Sequence, residues 1–149
     1  MIRVIGSFGS DKSTMLGCMN LLEKPTEGEI LFRGENIEGG KTRLSDYSAK
    51  VTMVFQSFNL FNNLTVLANC TLGMRKVLGI PKAEAEERAK KNLAKVGMDA
   101  YVNAKSKQLS GGQKRRVAIA RSLCMEPEVI FNTPVKPRTR EFLSCVLET

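Results

Sequence analysis

Three short apolar runs along the chain predict buried β-strands. They cover residues 2–5, 51–55 and 128–131 and are rich in Val, Ile and Phe, residue types that strands favour. An alternating run over 29–33 predicts a further strand, which Gly34 ends. Because helical stretches separate the three apolar runs, the pattern is typical of an α/β protein with a mostly parallel sheet.

The stretches between these runs predict helices, since their apolar residues recur at helical spacing. The predicted helices cover residues 12–23, 65–78, 82–96 and 111–125, with a short polar helix or loop over 44–50. Pro81 suits the start of a helix and Gly97 suits the end of one.

The charge of the chain changes this picture little. The 149 residues carry a net charge of +8, which is compatible with binding to nucleic acid or to an anionic membrane. Over residues 82–91, however, Lys and Arg are interspersed with Glu, as on a solvated helix face. We therefore expect no nucleic-acid partner, but a basic nucleic-acid-binding module with a phosphate-binding loop stays open as an alternative.

The cysteines predict neither a metal site nor a disulfide partner. Cys18, Cys70, Cys124 and Cys145 are far apart and form no CxxC pair, so we interpret them as buried, reduced thiols. No apolar run reaches the roughly 18 residues that a membrane-spanning helix needs, and the first residues lack the layout of a signal peptide. Any link to a membrane is therefore expected to come through a partner.

Candidate chemistry begins with a glycine-rich loop between the first predicted strand and the first predicted helix, the context of a phosphate-binding loop. In such a loop, backbone N–H groups surround the phosphates, the lysine pairs with the outer phosphates and the hydroxyl after it binds magnesium. The candidate nucleotide-binding residues are Gly6, Ser7, Gly9, Ser10, Lys12, Ser13 and Thr14. Asp11 departs from the pattern, which has glycine directly before the lysine.

A second candidate phosphate-binding feature stands at the start of the last predicted helix. Its residues are Leu109, Ser110, Gly111, Gly112 and Gln113. The two glycines allow the backbone to approach a phosphate closely, and Ser110 adds a hydroxyl donor. The N-terminus of the helix that follows attracts anions.

The segment Leu109–Gln113, with the residues that continue it to 121, resembles the signature motif of the ABC-transporter ATPases. The loop over 6–14 resembles the Walker A motif of the same family. Gln56, which follows the 51–55 strand, resembles the glutamine of the family's Q-loop. The residues that flank these motifs are similar to those in importers for polar amino acids. The resemblance covers residues 2–131.

This resemblance implies a P-loop NTPase fold: a RecA-like core with a mostly parallel sheet and an inserted helical subdomain. Residues 1–56 and 112–131 are expected to form the core, and 57–111 the helical subdomain that carries the signature. Residues 132–149 form a divergent tail. Compared with the family's domain, the chain is expected to be incomplete at both ends.

The resemblance also implies an activity and its partners. It implies the ATP-binding subunit of an amino-acid importer, which couples ATP binding and hydrolysis to transport. The implied partners are a transmembrane permease subunit and a second ATP-binding subunit in a head-to-tail dimer. The implied location is cytoplasmic, on the inner face of the cell membrane. The cofactor is ATP with magnesium, for which Ser13, Gln56 and Asn132 are the candidate metal-binding residues.

Departures from the family pattern predict impaired chemistry. Asn132 and Thr133 stand where the family has an Asp-Glu pair, and Thr133 cannot act as a general base near neutral pH. The chain contains no histidine, although working members use one to hold the γ-phosphate. One like charge at about 4 Å, as Asp11 provides, costs about 1 kcal/mol in water and about 4 kcal/mol at an effective dielectric of 20. We expect weak ATP binding and little or no hydrolysis; the alternative is a non-catalytic remnant that binds a partner subunit.

Overall fold

The computed structural model describes residues 12–37, 44–55 and 57–132. In chain order, the helices and strands are α1 (Lys12–Met19), β1 (Leu31–Phe32), β2 (Glu35–Asn36), α2 (Leu44–Lys50), β3 (Val51–Val54), α3 (Val66–Lys76), α4 (Lys82–Lys95), α5 (Gly111–Cys124) and β4 (Val129–Asn132). Two single-turn 3₁₀ helices, Asp99–Tyr101 and Ser106–Gln108, lie between α4 and α5.

Helices α3, α4 and α5 pack against one another around the larger of two hydrophobic cores. Each helix contributes residues at helical spacing, so that one face is apolar. In α4 that face is Ala85, Ala89 and Leu93, all fully buried. The two alanines are small, which allows the neighbouring helices to approach closely. This packing confirms the helices predicted from periodicity, apart from their end residues.

Local signals account for where these helices begin and end. The Thr65 side chain caps α3 by accepting a hydrogen bond from the Ala68 amide at 3.1 Å. At the end of α4, Gly97 has a φ of 65°, a left-handed conformation that glycine adopts without penalty. The amides of Gly97 and Met98 donate to the Ala94 and Leu93 carbonyls, the paired hydrogen bonds that commonly close a helix.

The predicted parallel pairing is confirmed for two of the three apolar runs. Strands β3 and β4 are parallel neighbours, with Val51 opposite Val129 and Val54 opposite Asn132. The third run, 2–5, lies outside the described residues. Because Asn132 pairs with Val54, the carboxyl end of β4 lies beside the segment that leads to Gln56.

Three expectations need correction. The helix predicted over 12–23 ends at Met19, and Leu21 beyond it has a left-handed φ of 57°, which breaks helical hydrogen bonding. The strand predicted over 29–33 is only Leu31–Phe32; it pairs antiparallel with β2. The turn between them, Arg33-Gly34, has positive φ at both residues, the tight hairpin turn that matches strand twist.

The third correction concerns the expected burial of the cysteines. Cys70 and Cys124 are buried as expected, but Cys18 is only partly buried, because it lies on the short helix α1 away from the three-helix core. The described cysteines are all free thiols. Cys145 lies outside the described residues.

Candidate functional site

The start of α5 is shaped by a reciprocal cap. The Ser110 Oγ accepts a hydrogen bond from the Gln113 amide at 3.3 Å, and the Gln113 Oε1 accepts one from the Ser110 amide at 2.9 Å. This capping box satisfies two backbone donors of the helix start. Leu109, directly before it, is buried in the core. The cap and the buried leucine together fix the position of the first turn.

The two glycines of this turn face open space. Gly111 and Gly112 are exposed, and a Cβ added to either would meet no atom within 4 Å among the described residues. Neither has a left-handed backbone conformation. The described part of the chain therefore supplies no steric or conformational reason for glycine, which costs about 1 kcal/mol relative to alanine inside a helix.

The amides of the glycines remain available to a ligand. The Gln113 and Lys114 amides bond to Ser110, but no acceptor for the Gly111 or Gly112 amide lies within the described residues. Unpaired amides at the N-terminus of a 14-residue helix attract an anion. The arrangement fits the binding of a phosphate group.

A buried polar network supports the segment that leads into this turn. Asn69 and Ser106 are 1% and 0% exposed, and the Asn69 Nδ2 donates to the Ser106 Oγ at 2.9 Å. Asn69 also accepts from the Phe61 amide at 2.8 Å and donates to the Phe61 carbonyl at 3.1 Å. The network thus joins α3, the 3₁₀ turn before the signature and the loop at Phe61. Neither residue was identified as functional from the sequence. The signal available for Asn69 was an asparagine on the apolar face of α3.

Arg121 on α5 is a third residue that was not identified as functional from the sequence. Its Nη1 donates to the Asn59 carbonyl at 2.8 Å and its Nη2 to the Phe58 carbonyl at 3.2 Å. Burial lowers the pKa of the Arg121 guanidinium, but the group stays charged near neutral pH because the ordinary pKa of arginine lies far above that range. The signal in the sequence was an arginine within the apolar stripe of α5.

Two buried thiols lie between α3 and α5. A hydrogen bond to Cys124, followed by burial, raises the pKa of the Cys70 thiol well above its ordinary value. A thiol held in its neutral form is a poor nucleophile. Cys70 therefore belongs to the core and not to a reactive site.

Most of the predicted phosphate loop lies outside the described residues. This holds for Gly6, Ser7, Gly9, Ser10 and Asp11, and also for Gln56 and Thr133. Lys12 and Ser13 form the first turn of α1, as expected for residues that end a phosphate loop, and Thr14 beside them is exposed. Asn132 is the last residue of β4. The side chains of Lys12, Ser13 and Asn132 lie outside the description.

The described part of the chain holds no cluster of side chains suited to binding a metal ion by itself. Nor does any helix in it have the length and apolar character to cross a membrane.

Comparison with known proteins gives consistent results. The sequence model of the family described as ABC transporter matches residues 1–132. The chain is 46% identical to the histidine/lysine/arginine/ornithine transport ATP-binding protein HisP of Escherichia coli and 43% identical to the glutamate/aspartate import ATP-binding protein GltL of the same organism. Each match covers 99% of this chain and 62% of the relative. The chain thus spans about three fifths of the length of these relatives.

Solved structures agree with the fold. The chain superposes on the ATP-binding cassette MJ0796, in a dimeric post-hydrolysis state with ADP and Pi, with a TM-score of 0.78 at 33% identity. That match covers 94% of this chain and 64% of the other. A second dimeric structure of the same cassette gives a TM-score of 0.79 at 32% identity, with 95% and 65% covered. The predicted P-loop NTPase fold is confirmed.

Proposed function

Because the chain belongs to the ABC transporter family, we propose that it forms part of the ATP-binding subunit of an importer for polar amino acids. The observation that carries the proposal is the start of α5, where two exposed glycines present unpaired amides to the outside. The names of HisP and GltL, which specify histidine, lysine, arginine and ornithine in one case and glutamate and aspartate in the other, support polar amino acids as the transported class.

We propose that the signature residues Leu109–Gln113 contact ATP held by a second ATP-binding subunit. The exposed position of Gly111 and Gly112 supports this, because no described atom lies within 4 Å of a Cβ added to either glycine and a ligand can therefore approach their amides. The dimeric state of the MJ0796 cassette supports a pair of such subunits, for which we propose a head-to-tail arrangement. The proposed attachment to the membrane is a permease subunit on the cytoplasmic side, contacted by the helical subdomain over 57–111.

We further propose that the chain's own nucleotide site involves the loop 6–14, with Lys12 on the phosphates. Magnesium, when bound with ATP, neutralises phosphate charge; Ser13, Gln56 and Asn132 are the residues proposed to hold it. The parallel register supports this grouping, since Asn132 lies opposite Val54 and Gln56 follows two residues later. The core proposed for these elements is 1–56 with 112–131.

The donor set fits a nucleotide only in part. Asp11 brings a carboxylate to the phosphates, Asn132 offers a neutral oxygen where a charged ligand is expected, and Thr133 has no basic group. We therefore propose weak MgATP binding and little or no hydrolysis. These three residues also favour a second candidate function, a non-catalytic subunit that binds its partners without turnover.

Calorimetry with MgATP on the whole chain and on Asp11→Gly tests the nucleotide site. Removing the carboxylate should tighten binding by about a hundredfold, since a penalty near 3 kcal/mol corresponds to two decades. Lys12→Ala in the Asp11→Gly background is the control and should abolish the gain. Low-micromolar binding by the unchanged chain would refute the assigned effect of Asp11, and no binding by either variant would refute the nucleotide site itself.

A further inference from the structure

The loop that follows the Gln56 position has a disfavoured backbone. Phe58 and Asn59 are consecutive, neither is glycine, and their φ angles are 63° and 43°. For each residue, the left-handed conformation is about tenfold less populated than the right-handed one, although asparagine tolerates it better than phenylalanine. Such a conformation persists only where surrounding contacts hold it.

Arg121 supplies such contacts, because its guanidinium donates to the carbonyls of both left-handed residues, at 3.2 Å and 2.8 Å. Hydrogen bonds from a charged, partly buried donor are stronger than those between neutral groups. A local hydrogen bond from the Ser57 Oγ to the Asn59 Oδ1, at 2.7 Å, is exposed to water and adds less. Among the described side chains, Arg121 thus makes the strongest hydrogen bonds to this turn, which the packing of the Phe58 ring against the core supports.

The same loop is tied a second time, a few residues further on. The Phe61 carbonyl accepts hydrogen bonds from the Asn69 Nδ2 and the Ser106 Oγ, both at 3.1 Å. Ser106 lies just before the signature, whereas Arg121 lies on the helix that the signature begins. The loop is therefore bound to elements on both sides of Leu109–Gln113.

We propose that Arg121 is a positioning residue that locks the loop after Gln56 to the signature helix. By holding the left-handed turn at Phe58 and Asn59, it makes the loop and α5 move together. A displacement at Gln56 would then be transmitted to Gly111 and Gly112 at the start of the same helix. The transmission from Gln56 to the glycines rests on the proposed function, whereas the fixing of the loop to α5 by Arg121 does not.

Amide hydrogen exchange on the full chain tests the lock without nucleotide. The Phe58 amide donates to the Phe55 carbonyl at 3.1 Å, so it reports opening of the turn. In Arg121→Gln, its exchange should accelerate by at least about tenfold, whereas the amides of Ala89 and Leu93 in α4 should keep their rates. Arg75→Gln, the same change at an exposed residue of α3, is the matched control and should change the Phe58 rate less than twofold.

Two further variants separate a lock from a general loss of stability. Arg121→Lys retains a cation that can reach one carbonyl, so its Phe58 rate should lie between wild type and Arg121→Gln. Asn59→Gly added to Arg121→Gln should slow exchange again, because glycine adopts the left-handed conformation freely. An unchanged Phe58 rate in Arg121→Gln, equal acceleration in α4, or no rescue by Asn59→Gly would each overturn the proposal.

The consequence for Gln56 is tested in the Asp11→Gly background by calorimetry with ATP, in magnesium and in EDTA. Arg121→Gln should weaken binding of MgATP several-fold but leave magnesium-free ATP unchanged, because Gln56 is assigned to the metal. Equal weakening of both would overturn the transmission to Gln56. If Asp11→Gly binds no nucleotide at all, the proposed function fails, whereas the exchange rates still decide the role of Arg121.

Discussion

Removing the side chain of Asn69 should destabilise the fold by about 2–3 kcal/mol. The residue is 1% exposed. Apart from a long contact of 3.5 Å with the Leu64 carbonyl, it makes three hydrogen bonds beyond its own helix turn: two with the Phe61 backbone and one with the Ser106 Oγ. Each is worth about 1 kcal/mol net. The total stays below the sum because Phe61 lies on an exposed loop, where water can replace part of what Asn69→Ala removes.

Urea unfolding followed by circular dichroism measures this loss of unfolding free energy, and a thermal melt measures the corresponding change in melting temperature. For a domain of this size, 1 kcal/mol corresponds to about 2–4 °C, so the melting temperature of Asn69→Ala should fall by about 5–10 °C. Asn92→Ala is the matched control, because Asn92 is a helical asparagine that donates only to the Arg88 carbonyl at 3.2 Å and weakly to the Cys124 Sγ at 3.7 Å. It should cost less than about 1 kcal/mol.

A double-mutant cycle with Ser106→Ala gives the decisive result. If the two residues form one network, their combined loss should be smaller than the sum of the single losses by at least about 0.5 kcal/mol. Strict additivity, or a loss in Asn69→Ala no larger than in Asn92→Ala, would refute the view that this network holds the segment before the signature.

Three other predictions concern the end of α4, the buried thiols and the nucleotide site. Gly97→Ala should cost about 1 kcal/mol of unfolding free energy, because it forces a side chain into a left-handed conformation; a thermal melt as high as wild type would contradict this. The raised pKa of Cys70 means that its thiol loses its proton at a lower pH in the unfolded chain than in the folded chain, so this thiol lowers the unfolding free energy as pH rises above about 8.5, and the lowered pKa of its partner Cys124 offsets part of that effect; the unfolding free energy should therefore fall less steeply with pH in Cys70→Ala, and an equal slope in both proteins would exclude Cys70 as its cause. Asp11→Gly should bind MgATP but release no phosphate above background, because loss of a positioned general base typically costs 10²–10⁴ in rate; sustained turnover that Lys12→Ala abolishes would show that another residue supplies the base.

Much of this molecule is readable from local sequence, because its signals act over a few residues. Helical spacing in 82–96 and 111–125 and the closing glycine at position 97 each depend on neighbours within one or two turns, and the structure places α4 and α5 close to where these signals predict them. The motif at Leu109–Gln113 identified the family for the same reason, since its residue types are recognisable in order along the chain.

Tertiary structure decided the contacts between residues that lie far apart along the chain. Nothing local to Arg121 indicates that its guanidinium binds carbonyls 62 and 63 residues earlier, and Ser106 meets Asn69 across 37 residues. Hydrogen-bond partners of this kind are set by the packing of whole helices, which periodicity does not specify. The sequence therefore determined the helices and the motif, whereas the folded chain determined which side chains hold the motif in place.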